Sequence, residues 1–393
     1  MKILCVDVGT GTQDIFLYDS RLALENGFKL VLPSPTMMMY QRIRAATAQG
    51  LPIVLTGRQM GGGPSAWAAA RHAQAGLPVY ATPDAAITLD DELEKASALG
   101  VRIISEDEAR GLKSGVVRLE FKDFDFAAIE SAFGAFGVGL HDLDAVSVAV
   151  FDHGAAPAGV SDRQFRFDYL DRRIRERNSL SAFAYLAGDV PPIMSRLRAV
   201  AESGRELDRP LIVMDTAPAA ILGATYDPVV RRMARSMIVN IGNFHTLAFR
   251  MASNSIEGIF EHHTEEIDLP TLESLLRALA AGTLRYEDVF DDMGHGALIY
   301  GQNPLVLGRG DFDVVVTGPR RALFLPPAGA RVAVHDAKHG RLRPYFAVPF
   351  GDMMIAGCFG LLAATAEVLP ASADAIHQSM QGLGGGHPPW ELD

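Results

Sequence analysis

Residues 5–18 read CVDVGTGTQDIFLY, and residues 238–249 read IVNIGNFHTLAF. Each is an apolar strand that ends on a polar residue, meets a glycine two positions on, runs through a short polar turn and continues as a second apolar strand. A turn of this kind exposes several backbone N–H groups, and glycine lets a phosphate approach the main chain. An acid at the strand end, Asp7, can hold a metal ion through water. Two such turns facing each other would grip a polyphosphate from both sides. Gly9, Thr10, Gly11, Thr12 and Gln13 are the candidate contacts of the first turn, and Asn240, Gly242 and Asn243 those of the second.

Outward from the first turn, FKLVL at 28–32 supplies a third strand, and Met37, Tyr40, Ile43 and Thr47 recur at helical spacing up to Gly50. Strands and helices then alternate: IVLT at 53–56, a helix near 64–75, PVYA at 78–81, a helix near 88–99, VRII at 101–104 and VVRLEF at 116–121. Alternation of this kind predicts parallel sheet with crossover helices. AVSVAVF at 145–151 is a fully apolar strand, and residues 155–210, richer in charge, predict a cap or hinge in helical pieces. A second strand series opens with LIVMD at 211–215 and continues with the second turn, IEGIFEHH at 256–263, DVVVT at 313–317 and RVAVH at 331–335. Asp268 is placed to cap a helix that Gly282 stops, and a last helix is expected near 352–368. The expected division is a first lobe over 1–210 with insertions near 50–120 and 155–210, a second lobe over 211–381, and a flexible tail over 382–393.

The chain has 393 residues, 48% apolar and 21% charged, so it can bury a large core and is neither disordered nor coiled-coil. Its 36 basic and 47 acidic residues leave a net charge of −11, which argues against a dedicated nucleic-acid or anionic-membrane surface. Two cysteines, Cys5 and Cys358, are too few for a disulfide scaffold, a zinc ribbon or an iron–sulfur cluster held by one chain. Asp7 interrupts the first apolar run, and no run reaches the ~18 residues of a membrane span. A cytoplasmic protein is the expectation.

Asp7-Val8-Gly9-Thr10 matches the Asp-x-Gly-Thr phosphate motif of the actin / sugar kinase / heat-shock-70 ATPase superfamily, and Asn240-Ile241-Gly242-Asn243 resembles its second phosphate turn. Further segments resemble it in order: residues 218–224 the small-residue helix between the lobes, residues 314–318 the strand and glycine of the adenosine motif, and residues 354–360 the closing helix. Residues 148–154 are similar to the sugar-kinase strand that ends in a His-Gly pair near the sugar. More narrowly, the pattern resembles a poorly characterised ATPase-like family whose members are often labelled pyruvate formate-lyase activating enzymes. A radical activase of that kind needs a Cys-x3-Cys-x2-Cys run, and the sequence has none.

The resemblance implies an α/β fold of two ATPase-like (ribonuclease H-like) lobes with a central cleft and insertions in the first lobe. It implies ATP and magnesium as cofactors, Asp7 at the metal, Gly318 by the nucleoside, Asp215 as the base that activates an acceptor hydroxyl, and Asp152 and His153 at the acceptor. A small hydroxylated substrate or a protein would be the partner. Three readings stay open: a kinase, a nucleotide-driven switch or activator without a small acceptor, and a binding protein that has lost the nucleotide. Departures from the superfamily weigh on the choice. Asp14 stands where sugar kinases place Lys or Arg, and it would repel phosphate unless a metal ion or a proton offsets it. Asn240 replaces an acid, and Pro319 removes an N–H after Gly318. Arg58, Arg320 and Arg321 could restore positive charge.

Bland readings stand beside these. Asp215 could simply cap the following helix. His262, His263, Glu265 and Glu266 form a polar cluster, but neighbours on a strand point to opposite faces, which favours a solvated loop over a metal site. Arg58–Gly63 lies between a strand and a helix, a context that suits either an anion or a flexible connection.

Overall fold

A computed structural model describes residues 1–325 and 341–391; the strand expected at 331–335 lies outside the described residues. In the first lobe, strands β1 (Lys2–Val8), β2 (Thr12–Asp19) and β3 (Phe28–Pro33) form an antiparallel meander. The chain then leaves this sheet and builds a separate parallel sheet from β4 (Ile53–Gly57), β5 (Val79–Ala81), β6 (Val101–Ile103) and β7 (Val117–Phe121), ordered β6-β5-β4-β7. It returns through β8 (Ala145–Val150), β9 (Ala184–Leu186) and β10 (Leu211–Asp215). The completed first sheet runs β3-β2-β1-β8-β10-β9, with β1, β8 and β10 parallel. Every residue of β8 is buried, as expected of a strand covered on both faces.

The second lobe repeats the design. Strands β11 (Arg235–Ile241), β12 (His245–Ala252), β13 (Ser255–His263), β14 (Gly296–Ile299), β15 (Val314–Thr317) and β16 (Pro344–Phe346) are ordered β14-β13-β12-β11-β15-β16. Strands β11 to β14 are antiparallel in succession, whereas β11, β15 and β16 are parallel. Numbering the five core strands within each lobe gives the same order twice, 3-2-1-4-5, with the first three antiparallel and the last two parallel. This is the ribonuclease H-like lobe, and its duplication confirms the two-lobed α/β class.

The expected boundary at 211 is corrected. Leu211–Asp215 pairs with β8 and completes the first sheet, so the second sheet starts only at Arg235. The helix expected to be last, Ala356–Val368, also belongs to the first lobe, where Phe359 and Leu362 share a core with Ile3, Cys5, Ala149 and Met214, and a further helix, Ala373–Met380, follows it into the same core. Ala356–Val368 begins later than expected, because Asp352 is extended at φ −137° and ψ 115° and its Oδ1 accepts from Met354 N at 3.0 Å, which holds residues 352–354 in a turn before the helix. Residues 155–210 are the crossover between β8 and β10 as well as a cap. They supply the edge strand β9, and Leu197 and Val200 of the helix Ser195–Ser203 enter the first-lobe core. The tail is tethered, with the His387 N–H donating to Arg21 O and Gly385 lying against Leu22. The helix Leu269–Ala281 follows its expectation: Asp268 caps it and Gly282 closes it at φ 75°. No single helix among the described residues is long and apolar enough to cross a membrane.

Candidate functional site

The two glycine turns are built alike. The Gly9 N–H donates to Thr12 O at 2.9 Å, and the Gly242 N–H donates to His245 O at 2.9 Å. They meet across a cleft of about 940 Å³, whose walls include Asp7, Gly9, Thr10, Gly11, Thr12, Asp14, Asn240, Gly242, Asn243 and Gly318. That volume is in the range of small-molecule sites, roughly 300–1,000 Å³. The elbows touch at their tips: a Cβ added to Gly11 would lie 2.6 Å from Asn243 Nδ2. Gly318 sits at φ 98° with no room for a side chain, since a Cβ would meet Asn240 Oδ1 and Ile241 O within 2.5 Å. Gln13 is corrected out of the site, because its amide donates to Pro33 O at 3.1 Å and it does not line the cleft.

Asp7 and Asp14 are directly opposed across the β1–β2 pair, so both carboxylates share the face that lines the cleft floor. Asp7 Oδ1 accepts from Thr216 Oγ1 at 2.6 Å, while Asp14 Oδ1 is buried without a hydrogen-bond partner among the described residues. Burial raises the Asp7 carboxyl to about 6, against the lowering effect of the Thr216 hydrogen bond. Burial, then the charge of Asp7, raises Asp14 to about 8, with Asp352 adding to the repulsion. Without a cation, Asp14 therefore keeps its proton at neutral pH.

A group whose folded pKa is raised contributes stability at low pH and loses it as pH climbs through the folded value. With divalent ions chelated, the wild type should lose stability relative to Asp14→Asn between about pH 4 and 8, by at most about 1.4 kcal/mol per pH unit. Equilibrium unfolding of both proteins across that window checks this. A constant difference would mean that Asp14 is not shifted.

The expected acceptor-side carboxylates are engaged by the protein itself. Asp215 does not line the cleft. Its Oδ2 pairs with Arg166 Nη1 at 2.6 Å, and its Oδ1 accepts from Ala217 N at 2.9 Å as the cap of the helix Thr216–Ala224. Asp215 thus caps this helix, as the simpler reading expects, and both of its oxygens accept hydrogen bonds. Asp152 Oδ1 and Oδ2 accept from the N–H groups of Gly154 and Leu197, each at 2.8 Å. Burial raises its pKa to about 6 against those two hydrogen bonds. Asp152 lines the cleft, and its carboxylate also holds the loop after β8 through those two bonds. His153 also lines the cleft, as expected.

The basic residues at the cleft are not those expected. Arg58 pairs on the surface with Asp84 and Glu202, and neither Arg320 nor Arg321 lines the cavity. Lys95, Arg163 and Arg196 do, together with the loop Gln59–Gly63 of the inserted sheet, where the Phe244 ring packs against Gly63. Asp90, Asp91, Glu92 and Asp162 also line the walls. Cys5 and Cys358 are buried thiols whose pKa values burial pushes up, so neither is a ready nucleophile.

One cluster escapes local sequence reading. Register pairs His245 with His263 and places Glu261 two residues earlier on the same face, while the His295 N–H donates to Glu261 O at 2.9 Å. His153 Nε2 lies 3.2 Å from His295 Nε2. His262 points away from this face, as strand alternation requires, and lies 3.4 Å from Asp292. The imidazoles of His153 and His245 are held neutral by burial first, then by Arg166 and neighbouring histidines, and His153 falls to about 3. The signal was present only as histidines near the ends of four different strands.

Residues 60–323 match the DUF1786 family, described as "Putative pyruvate format-lyase activating enzyme". The chain belongs to this family. The activase in that description does not fit this DUF1786 member, which has two cysteines, both buried, and no Cys-x3-Cys-x2-Cys run in the 393 residues. No curated protein matches the chain. Among solved structures it is similar to a ROK hexokinase from Thermus thermophilus, at 13% identity and TM-score 0.22, covering 65% of this chain and 48% of that one. A ROK family transcriptional regulator, homolog of the E. coli MLC protein, is similar at 7% identity and TM-score 0.22, covering 65% and 37%. An exopolyphosphatase-like protein is similar at 10% identity and TM-score 0.23, covering 67% and 50%. The chain thus spans half or less of the length of these proteins. The fold assignment of this DUF1786 protein rests on its duplicated strand order.

Proposed function

We propose that the cleft binds a nucleoside triphosphate, ATP in the first instance, as its magnesium complex. The observation that carries this reading is the pair of identically hydrogen-bonded glycine elbows that meet at Gly11 and Asn243 over one cavity. Thr10, Gly11, Thr12, Gly242 and Asn243 would face the phosphates, and Gly318 the nucleoside. Asp7 and Asp14 fit a hard divalent cation, because Asp14 Oδ1 is buried beside a second carboxylate and has no hydrogen-bond partner among the described residues. Bound magnesium would neutralise phosphate charge, and it would also remove the repulsion that Asp14 otherwise presents.

Between phosphoryl transfer to a small hydroxylated acceptor and a nucleotide-driven switch, one observation favours the switch. Asp215 and Asp152, the two carboxylates suited to activating an acceptor, are each held at both oxygens by Arg166 or by backbone N–H groups. Partner binding, not an acceptor metabolite, would then change the rate of ATP hydrolysis.

Thermal unfolding with ATP and magnesium tests the proposal. At 100 times Kd the wild type should gain about 2.7 kcal/mol, and the gain should vanish with chelator. Asp7→Ala should lose most of it. A wild type that does not respond, or an Asp7→Ala shift equal to the wild-type one, would remove the assignment.

A further inference from the structure

The imidazole cluster lies on the inner wall of the cleft, where the two lobes meet. One ligand nitrogen from each of His153, His245 and His295 lies within 4.8 Å of the others. His153 Nε2 and His295 Nε2 are 3.2 Å apart, and Glu261 Oε1 is 3.6 Å from His295 Nε2 and 3.9 Å from His245 Nδ1. Four ligands around a tetrahedral ion with bonds of about 2.0–2.1 Å stand about 3.4 Å apart, so small side-chain rotations close the set.

As a hydrogen-bond network the cluster is poor. Glu261 Oε1 and His295 Nδ1 are buried with no partner among the described residues, and the three imidazoles share one mutual hydrogen bond, between His153 and His295. A buried carboxylate oxygen without a partner is costly unless something cationic faces it. Its other oxygen, Oε2, is held at 2.8 Å by Arg166 Nε, which fixes the carboxylate plane and aims Oε1 at the rings. Arg166 also pairs with Asp215, so this one guanidinium is shared between two buried carboxylates.

We propose that His153, His245, His295 and Glu261 bind one divalent transition-metal ion of the zinc or iron(II) class, which joins the two lobes at the inner wall of the cleft. Three imidazoles with one carboxylate suit such an ion, whereas the oxygen-only pair Asp7 and Asp14 suits magnesium. His153 follows β8 of the first lobe, and the other three ligands belong to β12, β13 and the residue before β14 of the second. The ion therefore sets the relation between lobes that the nucleotide elbows need. The site stands independently of the nucleotide reading, because none of its ligands is a phosphate contact.

The test is titration of the tag-free full chain with Co2+, followed by visible absorption. One equivalent should bind with the intense ligand-field bands of low-coordinate cobalt, and Zn2+ should displace it and raise the melting temperature. Excess Mg2+ should do neither. His153→Ala and His245→Ala should weaken Co2+ binding by at least about tenfold, whereas His377→Ala, on an exposed helix face, should match the wild type. His153→Gln keeps the size of a side chain that is already partly exposed, so it serves if an alanine variant fails to fold. A wild type that takes up no Co2+, or ligand variants that bind it as tightly as His377→Ala, overturns the site whether or not ATP binds.

Discussion

Replacing Arg166 with methionine is expected to lower the free energy of unfolding by about 3–5 kcal/mol. Arg166 is fully buried, stacks with Cζ 3.9 Å from the Phe151 ring centre, and donates to Asp152 O, Asp215 Oδ2 and Glu261 Oε2 at 2.6–2.8 Å. It links β10 of the first lobe to β13 of the second through the helix Asp162–Glu176. Methionine retains the volume but leaves two carboxylates buried without their cation. That loss, more than the net worth of the pairs, sets the size of the effect. Arg166→Lys should fall between, because an ammonium keeps the charge but lacks the fork that reaches both acids. Urea unfolding of the three proteins provides the measurement. A methionine variant within about 1 kcal/mol of wild type would show that the triad contributes no net stability.

The second large effect is expected where the helices Thr216–Ala224 and Ala356–Val368 cross. A Cβ on Gly223 would lie 1.7 Å from Ala356 O, and one on Gly360 would lie 1.8 Å from Ala219 O. Helix propensity alone would favour alanine at either position by about 1 kcal/mol. The clash is with backbone on the facing helix, which cannot step aside as a side chain can, so the sign reverses. Gly360→Ala should cost about 3 kcal/mol, and Gly360→Val more. The displacement should also reach the site, because Gly357 packs so closely on Asp7 that a Cβ there would lie 1.8 Å from Asp7 Oδ2. A stabilised Gly360→Ala protein would contradict the crossing.

The glycine elbows were legible because everything that makes them is local: two apolar strands, a polar strand end and a glycine within a dozen residues. The cap at Asp268 and the stop at Gly282 were legible for the same reason. The sheet to which LIVMD at 211–215 belongs was not, since an apolar run looks the same beside either sheet and the choice is made by its neighbour β8. The role of Asp215 was equally hidden. Its identity suits a base or a cap; the Ala217 N–H takes one oxygen locally, and only Arg166, 49 residues earlier, takes the other.

By itself, then, the chain order determined the duplicated strand–turn–strand unit and the α/β class, because backbone periodicity and turn chemistry act over a few residues. Tertiary structure alone decided which carboxylates are free and which are paired, and it alone gathered His153, His245, His295 and Glu261 from four strand ends. Charges and ligands act through space over a few ångströms, and those distances exist only once the two lobes have packed.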